Sequence, residues 1–412
     1  MHSIDTVVIG AGHAGVATSH ALTAAGVEHV VLERGRIGER WLSERWDSLR
    51  LLTPNWMSRL PGWEYGGPDP DGFMTAGELA TYLGAYAGSF AAPVVHSAVH
   101  RVAVDSREGF RVVTDLDVWR AARVVVATGH CHRAVVPRGA TDLSADILQL
   151  DPLHYRGPQS VAPDGVLVVG ASSTGVQIAA ELRAAGHDVV LAVGRHSRLP
   201  RRYRGRDIMS WLDVLGSFDR TVDELPARAA RSEPSLQLVA GSDNLDLEVL
   251  HAAGVQLVGR FRGAAGATAY FADDLSSHVS DAERRMCRVL ARIDALPPQG
   301  TGPTDAVDVR PVRVASGTGH LSLRERRIGT VVWATGFHGA WPWLEPPVVS
   351  HGRITQHRGR TAVPGLYTVG QRFQHRRGSS LIDGARHDVV DVVSDVVTAR
   401  THPRRLVPSG AA

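Results

Sequence analysis

The chain contains no lysine, so all 45 of its basic residues are arginine. That excludes a Schiff-base lysine and a phosphate-binding P-loop lysine. The arginine bias itself is read as a GC-rich coding genome. Cysteine is almost absent too: Cys131 and Cys287 form no CxxC pair, which removes a redox-active disulfide of the reductase type and a disulfide scaffold. No stretch reaches the ~18 consecutive apolar residues of a membrane span. The N-terminus also lacks a charged-then-apolar signal pattern, so a soluble, cytoplasmic protein is expected. Net charge is only +3 and no long basic run occurs, which argues against nucleic acid as a partner.

What is present is a globular composition, 43% hydrophobic and 21% charged over 412 residues, enough for two domains with real cores. The chain opens on Thr6-Val7-Val8-Ile9 and then Gly10-Ala11-Gly12-His13-Ala14-Gly15. A β-favouring run enters a glycine turn that opens a helix. Gly10 permits the turn, Gly12 removes a Cβ that would block a pyrophosphate, and Gly15 lets helix and strand pack closely. The helix N-terminus offers N–H groups and a positive dipole end to the anion. A second strand ends on Glu33, about 20 residues after the turn, where a ribose hydroxyl needs an acceptor. The pattern returns 160 residues further on, as Val166-Leu167-Val168-Val169 followed by Gly170-Ala171-Ser172-Ser173-Thr174-Gly175. Two such units predict two dinucleotide sites.

The sites differ at the end of their second strands. Glu33 suits a free ribose, as in the adenosine half of FAD or NAD. The second unit instead ends on Gly194-Arg195-His196, with Arg198, Arg201 and Arg202 close behind. A carboxylate there would repel a 2′-phosphate, whereas arginine binds one in a bidentate, charge-assisted way. The second site is therefore read as one for NADPH, with Arg195 as first choice and Arg201 in support. Strand endings Ala127-Thr128-Gly129 and Ala334-Thr335-Gly336 match each other, and Leu366-Tyr367-Thr368-Val369-Gly370 gives one more strand and turn. The fold class expected is α/β, with two dinucleotide-binding (Rossmann-like) domains and the NADPH domain inserted into the FAD domain. The boundaries are 1–157 and 313–412 for the FAD domain and 158–312 for the NADPH domain, with a helical lid over about 204–300. Thr75 with Glu78 predicts a capping box, and Ser280 with Glu283 a second; residues 297–308 read as a linker. His130-Cys131-His132 diverge on an extended chain and read as a loop, so no metal is expected.

These residues resemble the flavin-containing monooxygenases and their bacterial relatives, including a group labelled flavoproteins of cation transport. The likeness runs through Gly10–Gly15, Gly38–Trp41, Leu49–Pro61, both Ala-Thr-Gly endings, Gly170–Gly175, Gly194–Tyr203 and Gly365–Ser379. It implies FAD, NADPH as reductant, dioxygen as co-substrate, and oxygen insertion into a small organic substrate through a flavin hydroperoxide (N- or S-oxygenation or Baeyer–Villiger type). Asn55, after Thr53-Pro54, is by similarity the residue that steadies the hydroperoxide or nicotinamide side; its alternative is a loop cap. Arg34, Gly38, Trp41, Thr53, Gly336, Gly370, Gln371 and His375 join the cofactor-binding set, with Trp46 and Trp56 packing nearby. The family's linker fingerprint departs here: Ala145, Ile147 and Asp151 stand where Phe, Gly and His are expected, and only Tyr155 is kept. That keeps two alternatives open, a reductase or oxidase without oxygenation and a redox-sensing regulatory flavoprotein. A homodimer is one open assembly.

Overall fold

In each half of the chain a buried strand runs straight into a glycine turn, and the turn starts a helix. The computed structural model describes residues 1–105, 109–224, 233, 235–241, 243–297, 312 and 319–401. In it, β1 (His2–Ile9), α1 (His13–Ala24) and β2 (His29–Glu33) form the opening unit. β1 and β2 pair in parallel, with Thr6 opposite His29 and Ile9 opposite Leu32. Val7, Val8, Val30 and Val31 are buried, as both faces of a helix-covered sheet require. α2 (Ala76–Ser89) begins on the expected capping box: the Glu78 N–H donates to Thr75 Oγ1 at 3.2 Å, and the Thr75 N–H donates to Glu78 Oε2 at 2.7 Å. β3 (Val94–His96) extends one edge. β4 (Val99–Asp105), β5 (Gly109–Thr114) and β6 (Val118–Val126) add an antiparallel meander at the other, in the order β3-β2-β1-β6-β5-β4.

The second sheet is wholly parallel. It comprises β7 (Leu148–Leu150), β8 (Gly165–Val169), β9 (Val189–Ala192), β10 (Gln256–Val258) and β11 (Ile328–Trp333) in the order β10-β9-β8-β11-β7. α3 (Ser173–Ala184) follows β8, and α4 (Leu275–Asp294) buries Leu275, Val279, Ala282, Met286, Leu290 and Ile293 along one stripe. β12 (Leu366–Thr368) then returns to the first sheet. β6 is long enough to take two partners on the edge away from β1: residues 118–121 pair with β5, and 124–126 pair in parallel with β12. α5 (Ile382–Thr401) follows, and its Val389, Val392, Val393 and Val396 share one core with Val16 and Ala17 of α1.

The sheets move the domain boundaries. β7 and β11, which the sequence limits assign to the outer domain, both belong to the inner sheet, so the crossovers lie near β6 on one side and after β11 on the other. Neither strand carries a signal of its own: β7 is three residues long, and β11 copies the ending of β6. The 204–300 stretch is not a helical lid throughout. It contributes β10 to the inner sheet and a hairpin, Phe261–Ala265 with Thr268–Phe271. Ser280 and Glu283 lie inside α4, which starts five residues earlier, behind Asp274. The 297–308 linker lies outside the described residues from 298 on.

Gly10 and Gly170 hold φ of +100° and +112°, a conformation that side chains rarely adopt. A Cβ on Gly15 would lie 1.9 Å from the Gly10 carbonyl oxygen, and one on Gly175 would lie 1.7 Å from that of Gly170. Gly175→Ala must therefore push α3 off β8 and is expected to cost about 1–3 kcal/mol. Urea denaturation of the variant against the parent checks this; an unchanged midpoint means that the helix has room.

Candidate functional site

The carboxyl ends of the two sheets open onto one cleft of about 1450 Å³. The inner sheet supplies Gly170–Thr174, Gly194 and Arg195 beyond β9, Arg260 beyond β10, and 334–339 after β11; the outer sheet supplies His130 and Cys131 after β6 and 371–374 after β12. Ligands of open α/β sheets bind at this edge, where strands end and helices begin.

At the first turn, nothing lies within 4 Å of the place a Gly12 Cβ would take. His13 starts α1 with a buried Nε2 that has no hydrogen-bond partner. Burial, aided by His130, lowers its pKa to about 4, so the ring is neutral. A missing Cβ, free first-turn N–H groups and an orphaned imidazole nitrogen make a cradle that a diphosphate fits. Gly370, at φ +74°, comes so near α1 that its Cβ would stand 2.9 Å from the Ala14 Cβ. Glu33 is buried and accepts from the N–H of Ala11 at 2.7 Å and of Gly35 at 3.0 Å. Its carboxylate is thereby aimed along the turn, with lone pairs left for a ribose.

The other expected residues divide. Gly38, left-handed at φ +72°, donates its N–H to the Ala11 carbonyl at 3.0 Å. Trp41 packs between the cores of both units, whereas Trp46 is buried in the inner core alone. Arg34 is exposed and pairs with Glu44 at 2.7 Å. Thr53 is half-buried beside Leu52, which lies on the cleft wall. The Ala127 carbonyl oxygen stands 3.0 Å from the place of a Gly10 Cβ, and Thr128 Oγ1 accepts from Trp341 Nε1 at 2.9 Å. The Gly129 carbonyl accepts from Gln371 Nε2 at 3.2 Å. Ser172 and Thr174 of the second turn and Gly336 after β11 line the cleft. Ser173 also borders it, but its hydroxyl is occupied, donating to the Leu236 carbonyl at 2.7 Å. Arg195 is exposed on the wall.

Three expectations change. Arg201 is no phosphate ligand: 1% exposed, it pairs with Asp207, donates to the carbonyls of Leu52 at 2.8 Å and Val239 at 3.0 Å, and lies over Phe73. It is a strut between the units, because the chain turns back on itself after Pro200. Asn55 has both ends of its amide engaged in its own loop, donating to the Asp69 carbonyl and accepting from the Met74 N–H at 2.9 and 2.8 Å. The loop-cap alternative describes it. His375 does not border the cleft; its Nδ1 meets Asp391 of α5 at 3.0 Å. Tyr155 of the linker is fully buried and donates to Glu181 of α3 at 2.6 Å, while Asp151 accepts from His154 Nδ1 at 2.8 Å.

Sequence reasoning missed Arg260, which stands beside Gly194 with its Cγ 3.8 Å from the place of a Cβ there. The end of β10 was the available signal. It also missed the state of Cys131. Burial alone would push this thiol up, but a hydrogen bond with His130 and the guanidiniums of Arg45 and Arg40 bring it below its ordinary pKa.

The profile of the pyridine nucleotide-disulphide oxidoreductases matches residues 7–213. The chain belongs to that family. An uncharacterized CzcO-like oxidoreductase of Geobacillus kaustophilus is 30% identical over 403 residues, covering 96% of this chain and 99% of that one. A probable indole-3-pyruvate monooxygenase of Arabidopsis thaliana is 33% identical over 182 residues, 43% of this chain and 44% of its own. The fold is similar to a flavin-containing monooxygenase from Stenotrophomonas maltophilia, with a TM-score of 0.67 at 22% identity over 97% of this chain and all of that one. Within the oxidoreductase family the chain stands with the bacterial relatives of the flavin-containing monooxygenases, as a flavin-dependent oxidoreductase that uses a nicotinamide cofactor. No helix among the described residues is long and apolar enough to cross a membrane.

Behind the cleft, α5 carries a buried charge. Asp388 is 1% exposed with an unpartnered Oδ2, and its Oδ1 is 3.5 Å from Arg376. Burial pushes its pKa up from 3.8 to about 6. The folded state then holds the proton longer than the unfolded one, so this group's contribution is greatest below about pH 4, falls as pH rises to about 6, and is level beyond. Asp388→Asn removes the slope and is expected to gain on the parent by roughly 2–3 kcal/mol between acid and neutral pH. Urea denaturation at several pH values between 4 and 8 checks it; a constant difference across the range contradicts the neutral buried acid.

Proposed function

We propose that this chain is an FAD- and NADPH-dependent monooxygenase that inserts one oxygen atom of dioxygen into a small organic substrate. The supporting observation is the pair of glycine turns, the first leading to a buried carboxylate and the second lying on the cleft wall, flanked by guanidiniums. When bound, the two cofactors supply hydride transfer and the activation of dioxygen. The protein's part is binding, orientation and the exclusion of water.

In this reading Glu33 accepts hydrogen bonds from the adenosine ribose of FAD, and the first turn of α1, from Gly12 to Gly15, holds its diphosphate. Gly38, Thr128, Gly129 and Gly370 close around the same ligand, and Gln371, tied to the Gly129 carbonyl, presents an amide to the ring. The second turn, Gly170 to Gly175, takes the NADPH diphosphate. Arg195 grips the 2′-phosphate, joined by Arg260 rather than Arg201. Leu52, Phe337 and Phe373 give the cleft apolar walls that keep water from the reacting centre. A second reading, a reductase or oxidase without oxygenation, is favoured by the linker, where Asp151 is spent on a local turn with His154.

The purified protein mixed with NADPH in air, with panels of amines, sulfides and ketones, separates the two. Oxygenation yields product in proportion to NADPH consumed, whereas recovery of all reducing equivalents as peroxide with every compound supports the second reading. Arg195→Ala is expected to raise KM for NADPH about tenfold or more while leaving that for NADH nearly unchanged. Equal changes in both would discard the phosphate assignment.

A further inference from the structure

The cleft carries a second cationic group that the NADPH phosphate does not explain. Among the described residues its wall contains four arginines and four histidines but no aspartate or glutamate. Arg195 and Arg260 belong to the inner sheet. The other two arise from different elements: Arg372 directly follows the turn after β12, and Arg353 stands on the hairpin of Val349–Ser350 with Arg353–Ile354.

Both line the same cleft, near enough for the charge of Arg353 to bear on Arg372. Burial, and after it the charge of Arg353, lowers the pKa of Arg372. Among the described residues neither makes an ion pair with a carboxylate, although the charge of Glu233 also reaches Arg372. Arg372 donates to the main-chain oxygen of Glu233 at 3.3 Å, while the Glu233 carboxylate is taken by Arg377. The arginines that are buried among the described residues all pair with acids: Arg123 with Asp5, Arg198 with Asp246 and Glu283, Arg201 with Asp207. Like charges brought together beside a cavity disfavour each other until an anion enters between them. Two guanidinium forks match the two oxygens of a carboxylate in geometry as well as charge.

We propose that Arg353 and Arg372 bind the carboxylate of the substrate, so that the molecule oxidised in this cleft is an organic acid. The neighbouring ring of Phe373 is set by a backbone φ of +52° and offers an apolar surface to the remainder of the molecule. This assignment rests on the cleft being the active site proposed above. Phosphate monoesters share the oxyanion chemistry, and a cofactor phosphate is a rival occupant; the test has an arm for each.

The test uses the purified full chain, with flavin content read first from its absorbance. Calorimetric titration with propionate and phenylacetate, each beside its amide, and with phenyl phosphate then reads the anion site directly. Carboxylates are expected to bind at least tenfold more tightly than their amides and than phenyl phosphate. Arg353→Met, at an exposed position, and Arg372→Met should each lose tenfold or more in that affinity, with flavin content and NADP⁺ affinity unchanged. Equal binding of acid and amide, tighter binding of phenyl phosphate, or full carboxylate affinity in Arg353→Met would overturn the proposal. So would a loss of NADP⁺ affinity or of flavin in the variants, which would make the pair a cofactor clamp. A colourless protein that takes up no flavin defeats the active-site reading instead, and the calorimetry still reports separately whether the anion site exists.

Discussion

The contact on which the molecule depends is the approach of a helix's first turn to the strand that precedes it. Gly15 sits against the Gly10 carbonyl and Gly175 against that of Gly170, at separations no side chain tolerates. Because the Cβ atoms are missing, each helix starts directly over the carboxyl edge of its sheet. Its unpaired N–H groups and positive dipole end then point into the space that a diphosphate occupies. The placement of the second strand, and of Glu33 or Arg195 at its end, follows from that approach.

Two such units become one site only if something sets the distance between them. Buried polar struts do this. Arg201 reaches from the inner unit to the Leu52 carbonyl of the outer one, with its charge met by Asp207. Glu181 of α3 accepts at once from Tyr155 in the linker and from Ser48 of the loop after β2, at 2.6 and 2.7 Å. Breaking a charged strut of this kind strands its partner in a medium that solvates it poorly, so the struts fix the cleft geometry more firmly than apolar packing alone.

A net charge of +3 hides a strong separation of charge. Many acids pair with arginines over the body of the molecule, and among the described residues the cleft wall has none. A cavity lined by one sign of charge with low-dielectric walls concentrates ligands of the opposite sign. The diphosphates, the 2′-phosphate and the organic carboxylate proposed above are all anions of the kind such a field attracts.

The two glycine turns, the strands before them, the acid at residue 33, the arginine at 195 and the capping box at Thr75 were legible in the amino-acid sequence, because each depends on contacts within a few residues. Two strands of the inner sheet were not: β7 and β11 join it through partners 163 to 182 residues away, and nothing local marks a three-residue strand or distinguishes β11 from β6. Arginine roles were the least legible, since in a chain whose every basic residue is arginine no single one stands out. Only the folded chain turned Arg201 inward to Asp207, closed Asn55 on its own loop and set Arg353 and Arg372 on one cleft. The sequence by itself determined two glycine elbows and the opposite charge at the ends of the strands that follow them. The tertiary structure decided which other side chains face the space between them, because that depends on pairings made across the whole length of the chain.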